Sequence, residues 1–312
     1  MHVGIMIEGQ EGLTWDRWSR LIDAAEGLGY ESLCRSDHLT GLNGHSRRPS
    51  LDTWTALTVV AERTKRIRFG SMVCPVTFYH PAILAKMALA LDTLSDGRFD
   101  LGIGAGWNEH EHAMFGIPMP PLKERLDRLE EGARYIRALG AGQPVTLAQR
   151  HYSLLKAEIY PLPSHGRLRL VVGGRGEKRT LRIVAELADE WNMTRVDIRG
   201  FEQKLEVLGH HCADVGRDPD TIRRSLMIPM AIGRDRAEVA RRIAAARAIF
   251  PGLPADEEGW RAASFLAGSA SEIGDALDRW IEAGMDRVLL QMMDQEDIAA
   301  LESFARGVLP SL

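Results

Sequence analysis

Eight short apolar runs, each followed by a longer stretch whose apolar residues fall on one helical face, constrain this chain more than any other feature. The runs lie at 2–7, 30–35, 67–73, 98–104, 168–172, 190–194, 225–232 and 286–293. Several are apolar on both faces, as parallel strands covered by helices must be. Between them, Trp18, Leu21, Ile22, Ala25 and Leu28 form one stripe, and Leu122, Leu126, Leu129, Ala133 and Ile136 another. Pro81 suits a first helical turn, with Leu84, Met87, Ala88 and Leu91 behind it. Ser269 and Glu272 have the spacing of a capping box. Strand and helix alternating eight times predict an α/β fold, the (β/α)8 TIM barrel. At 312 residues the chain suits one such domain spanning 1–312. Two connections are too long for simple turns, so insertions are expected after strands four and seven. Residues 141–167 read as an extended or hairpin insertion. Residues 233–285 read as two or three helices with a loop around Pro251–Pro254. The rival, a doubly wound open sheet, predicts a dinucleotide fingerprint after the first strand, and "GIMIEGQEG" has none.

Composition narrows the partners. A formal net charge of −4 argues against nucleic acid and against an anionic membrane surface. Three cysteines, Cys34, Cys74 and Cys212, read as reduced thiols of a cytoplasmic protein. "MHVGIMIEGQ" has no basic start or long apolar core, so it does not read as a signal peptide. No window approaches ~18 uninterrupted apolar residues, so no membrane span is expected.

In a barrel the chemistry gathers at the carboxyl ends of the strands. There the sequence places Glu8; Asp37 and His38; Ser71, Met72 and Cys74; Gly104 to Glu109; Gly173 to Gly176; Asn192 and Arg195; and Gln291. "VVGGRGEKR" leaves backbone N–H groups open to a ligand just before a helix, with Arg175, Lys178 and Arg179 adding positive charge. It suits a phosphate seat, and equally a plain turn with solvated basic residues. "GWNEHEH" looks like a metal motif, but Met114 stands where H-E-x-x-H needs its second histidine. No metal is expected, and Glu111 and His112 read as a solvated polar loop. Asp37–His38 reads either as a turn cap or as a proton-handling pair.

"GYESLCRSDHL", "VTFYHPAILAKMALALDTLSDGRFDLGIGAGWNEHEHAMFG" and "VVGGRGEKRTLRIVAELADEWNM", with "FLAGSASEI" further on, resemble the bacterial luciferase-like oxidoreductases. The resemblance is strongest to the branch that uses the deazaflavin coenzyme F420. It implies a barrel, often a homodimer, holding F420 (or FMN) in extended form. Asp37 and His38 would then face the ring as the catalytic pair. Ser71 and Met72 would back the ring from a bulged strand with a non-prolyl cis peptide at Ser71–Met72. Gly104, Ala105, Gly106, Trp107 and Asn108 would line the cofactor chain, and Gly173, Gly174, Arg175 and Gly176 would bind its phosphate. Arg47 and Arg48 in "GHSRRPS" could meet its acidic tail. Some relatives carry a glutamate directly after the G-x-G of strand four. Here Trp107 stands there, with Glu109 two residues on. The implied activity is hydride transfer between F420 and a small organic substrate. The alternatives are an FMN-dependent monooxygenase and a flavin-binding protein without turnover.

Overall fold

Each of the eight apolar runs becomes a strand in the computed structural model, which describes residues 1–42 and 47–312. In chain order the strands are β1 (His2–Ile7), β2 (Ser32–Arg35), β3 (Arg68–Ser71), β4 (Cys74–Pro75), β5 (Phe99–Gly104), β6 (Val145–Ala148), β7 (Ser153–Ala157), β8 (Arg169–Gly173), β9 (Glu190–Thr194), β10 (Arg223–Ile232), β11 (Leu266–Gly268) and β12 (Arg287–Met292). The helices are α1 (Trp15–Gly27), α2 (Thr53–Arg63), α3 (Pro81–Leu94), α4 (Glu109–Phe115), α5 (Leu122–Leu139), α6 (Thr180–Leu187), α7 (Ile198–Asp214), α8 (Arg236–Ile249), α9 (Glu257–Ala262), α10 (Ala270–Glu282) and α11 (Ile298–Gly307). The strand order is β11-β10-β12-β1-β2-β3-β5-β8-β9, and β9 also pairs with β10. That closes a parallel (β/α)8 barrel. The pairing is in parallel register, for example His2 to Ile7 against Arg287 to Met292. β5 and β12 are buried along their whole length, as strands lined inside and covered outside must be.

The chain divides into two compact units, 1–51 with 192–206 and 223–312, and 52–191 with 207–222. In the first, α1 buries Trp18, Leu21, Ile22 and Ala25, the stripe read from the sequence. Tyr30 stacks on Phe304 of α11 and donates to the Leu301 carbonyl at 2.8 Å. The insertion after β10 contains α8 and α9, with a small core of its own around Val239, Ile243 and Trp260. It also contains β11, which the sequence reading missed because three residues are too few for a periodic signal. Ser269 and Glu272 form the expected capping box on α10.

In the second unit, Pro81 opens α3 and His80 caps it through Nδ1. β6 and β7 form the expected antiparallel hairpin. It is held by a ring cluster of His80, Tyr135 and Tyr152, with centroids 5.4–6.3 Å apart. The α5 stripe is buried only from Leu129 onward, and Leu122 is exposed. Among the described residues no helix is long and apolar enough to cross a membrane.

Candidate active site

In the first unit, β1 runs directly into Glu8, a carboxylate only 5% exposed. Its Oε2 accepts from Gln10 Nε2 at 2.8 Å and its Oε1 from Gln291 Nε2 at 2.5 Å. Gln295 Nε2 donates to the Glu8 carbonyl at 2.8 Å. Ser36, at the end of β2, donates from Oγ to Gln10 Oε1 at 2.6 Å. The result is a buried polar network that ties the carboxyl ends of β1, β2 and β12. Uncharged amide donors reach both oxygens of the carboxylate, which limits its desolvation cost. The chain then reaches Asp37, buried at 3% exposure, and His38, which is half-buried. Asn192 is buried, and its Nδ2 donates to Ser225 Oγ at 2.9 Å. Arg48 pairs with buried Glu11 at 2.6 Å, so it serves this structure rather than standing ready for an acidic tail. Arg47 is exposed, and residues 44–46 of the same stretch lie outside the described residues.

In the second unit, Ser71 closes β3 through a pair of bonds with Gly102: its Oγ donates to the Gly102 carbonyl (3.0 Å) and accepts from the Gly102 N–H (3.1 Å). The non-prolyl cis peptide follows at Met72–Val73, not at Ser71–Met72 as expected. The regular strand extends through Ser71, so the bulge begins one residue later. Val73 then lies against several glycines. A Cβ at Gly104 would lie 2.7 Å from its Cγ2, one at Gly102 2.9 Å from its Cγ1, and one at Gly173 3.1 Å from both. Glycine at 104 and 173 leaves room for Val73, a reason the sequence could not reveal, whereas at Gly102 an added Cβ would first meet the Ser71 carbonyl oxygen.

The turn after β5 is gripped from several sides. Gly106 has φ +76°, a left-handed conformation suited to glycine. Arg125 of α5 donates to its carbonyl. Asn108 caps α4 by accepting from Glu111 N at 3.2 Å. Trp107 is 64% exposed, and Glu109 is exposed at the start of α4. The expectation of a solvated loop for Glu111 and His112 is overturned. They are 0% and 1% exposed, because the Asn108 cap starts a helix that turns both inward. Among the described residues no three His, Cys, Asp or Glu side chains group as metal ligands would.

The turn after β8 keeps its glycines for a different reason. Gly174 has φ +137°, and its carbonyl accepts from the buried Trp191 Nε1 at 2.8 Å. Gly176 packs under Thr180, whose Oγ1 would lie 2.9 Å from an added Cβ. Arg175 and Lys178 are exposed. Arg179 is committed to Asp127 (2.6 Å) and Glu130 (3.1 Å), so it braces α5 and leaves two basic residues at the turn. α6 begins at Thr180, after residues 177–179 form a turn. A pocket of about 320 Å³ opens here, lined by Leu126 and residues 175–180.

A model of the luciferase-like monooxygenase family matches residues 1–297. The chain belongs to this family. An F420-dependent hydroxymycolic acid dehydrogenase of Mycobacterium tuberculosis is 30% identical over 75% of this chain. The match takes in only 64% of that relative's length. An F420-dependent glucose-6-phosphate dehydrogenase of Kineococcus radiotolerans is 27% identical over 92% of this chain and 90% of its own. In fold, the chain is similar to a solved F420-dependent secondary alcohol dehydrogenase in complex with an F420-acetone adduct, with a TM-score of 0.83, 20% identity and 98% of each chain covered. In this luciferase-like protein, Gln10 and Gln295 escaped the sequence reading. Amides follow no motif, and 285 residues separate these two. Glu8 and Gln291 were legible only as strand-end positions.

Proposed function

We propose that the protein is an oxidoreductase that moves a hydride between coenzyme F420 and a small organic substrate. The turn Gly173–Gly176 carries the reading. It is rich in glycine, basic at Arg175 and Lys178, shaped by Trp191, and borders a pocket. Backbone N–H groups at such a turn suit a phosphodiester. The two curated relatives described above are both F420-dependent by name, which supports the deazaflavin over FMN. When bound, F420 would supply the hydride chemistry at one ring carbon.

Each group on the chain then has a limited task. Gly173, Gly174, Arg175 and Gly176 hold the phosphate. Gly104, Ala105, Gly106, Trp107 and Asn108 line the cofactor chain, and Ser71 and Met72 support the ring. His38 takes or gives the substrate's proton, and the buried Asp37 orients it. The reading treats residues 1–312 as one catalytic domain that acts as a homodimer. Three buried free thiols fit a cytoplasmic setting. The test is an equilibrium titration of the purified protein with F420 and with FMN, followed by fluorescence. Tighter binding of F420 is expected. Tighter binding of FMN, which the family's monooxygenase description favours, would replace the reading. Binding of neither would end it.

A further inference from the structure

His112 is fully buried, has a partner at each ring nitrogen, and takes no part in the chemistry above. Nδ1 lies 2.7 Å from the Asn108 carbonyl, which can only accept, so Nδ1 carries the proton. In the neutral ring Nε2 is then an acceptor, and the Thr77 hydroxyl, 2.7 Å away, donates to it. The imidazole also packs on Phe78 with centroids 5.0 Å apart. Thr77 belongs to the loop after β4. Its Oγ1 would be 2.9 Å from a Cβ at Gly106, so the hydroxyl lies against the bare Cα of that residue. The guanidinium of Arg125 holds the Gly106 carbonyl. Val76 N–H already donates to the Gly104 carbonyl at 2.9 Å where β4 pairs with β5; beyond that bond the two loops are joined through one ring, and the joint clasps the backbone of 106–108.

We infer that His112 is a positioning residue: with Thr77 it sets the Gly104–Asn108 turn in the shape that receives the cofactor. This rests on the assignment of that turn to the cofactor. The physical argument is preorganisation. A turn ordered before binding does not charge its ordering entropy against affinity, whereas a loosened one does. The proposed function assigns proton transfer to His38 and not to Thr77 or His112, so loss of the joint should appear in binding and in local order, not in proton transfer.

The test compares Thr77→Val, Thr77→Ser, His112→Phe and the double variant Thr77→Val/His112→Phe. Valine keeps the shape of threonine without its hydroxyl, serine keeps the hydroxyl, and phenylalanine keeps a ring on Phe78. The first readout is amide hydrogen exchange of the cofactor-free protein over residues 75–80 and 104–108. Thr77→Val and His112→Phe should raise exchange there by about tenfold, the equivalent of about 1.4 kcal/mol, with little change elsewhere. Thr77→Ser should match wild type, and the double variant should go little beyond His112→Phe, since both changes remove one shared bond. The second readout is F420 affinity, which should fall by a similar factor and recover in Thr77→Ser. Should His112→Phe misfold, the Thr77→Val and Thr77→Ser comparison still decides. Unchanged exchange, or additive effects in the double variant, overturns the inference. If wild type fails to bind F420 while the exchange pattern holds, the joint stands and the cofactor assignment of the turn falls.

Discussion

Gly104→Ala tests whether the glycines of β5 exist for packing or for the cofactor. Gly104 is buried at the end of the strand, and its backbone is not in the left-handed region, so alanine is allowed conformationally. The new Cβ would sit 2.7 Å from Val73 Cγ2, well inside contact distance, and its next neighbours are the Gly173 carbonyl at 3.8 Å and Val73 Cβ at 3.9 Å. One side-chain group therefore causes the whole clash. Overpacking of this kind costs about 1–3 kcal/mol. Val73→Ala alone removes two methyl groups and should cost about 1–2 kcal/mol. In the double variant the offending atoms are gone, and the added Cβ meets only ordinary contacts. Its stability should exceed the additive expectation by about 1–2 kcal/mol. Urea unfolding of the four proteins, followed by circular dichroism, measures this coupling. Agreement with simple addition to within about 0.5 kcal/mol would refute the packing account. F420 titration of the double variant then asks the other question. Affinity equal to that of Val73→Ala means the carbon at 104 does not reach the cofactor, and a further loss means that it does.

Three other outcomes are expected. Gly174→Val forces a β-branched residue into φ +137° beneath Thr180, and should weaken F420 binding at least tenfold, about 1.4 kcal/mol, with the fold intact by circular dichroism; unchanged affinity would remove the phosphate assignment. His38→Ala should keep cofactor affinity but lower turnover by ~10²–10⁴-fold, measured by single-turnover reduction of F420 with a panel of alcohols, and a wild-type rate would make the histidine a packing group. The Glu238 carboxyl is held down to about 2, chiefly by hydrogen bonds from Arg234. A carboxyl lowered in the folded state contributes stability that is present above its ordinary range and is lost as pH falls toward 2. Thermal unfolding of Glu238→Gln should therefore lose less stability than wild type between about pH 5 and pH 2.5; parallel curves would contradict this.

Local information carried the architecture. Strand runs, helical stripes, Pro81 at a first turn and the Ser269–Glu272 box are all decided within a few residues, by periodicity and by the unsatisfied N–H groups of a helix start. The alternation repeated eight times left little choice but the barrel. Part of the candidate site was legible as position for the same reason: Asp37, His38 and the turn 173–176 sit where strands end. Tertiary structure decided what those residues touch. Glycine reports that space is needed but not what fills it, so Val73 at Gly104 and Thr180 at Gly176 could not be read from the letters. Glu111 and His112 look like surface residues in sequence and become buried because a cap at Asn108 sets their helical phase. The network around Glu8 joins Gln10, Ser36, Gln291 and Gln295 through side-chain hydrogen bonds, and such bonds form only after parallel strands from the two ends of the chain have been brought into register.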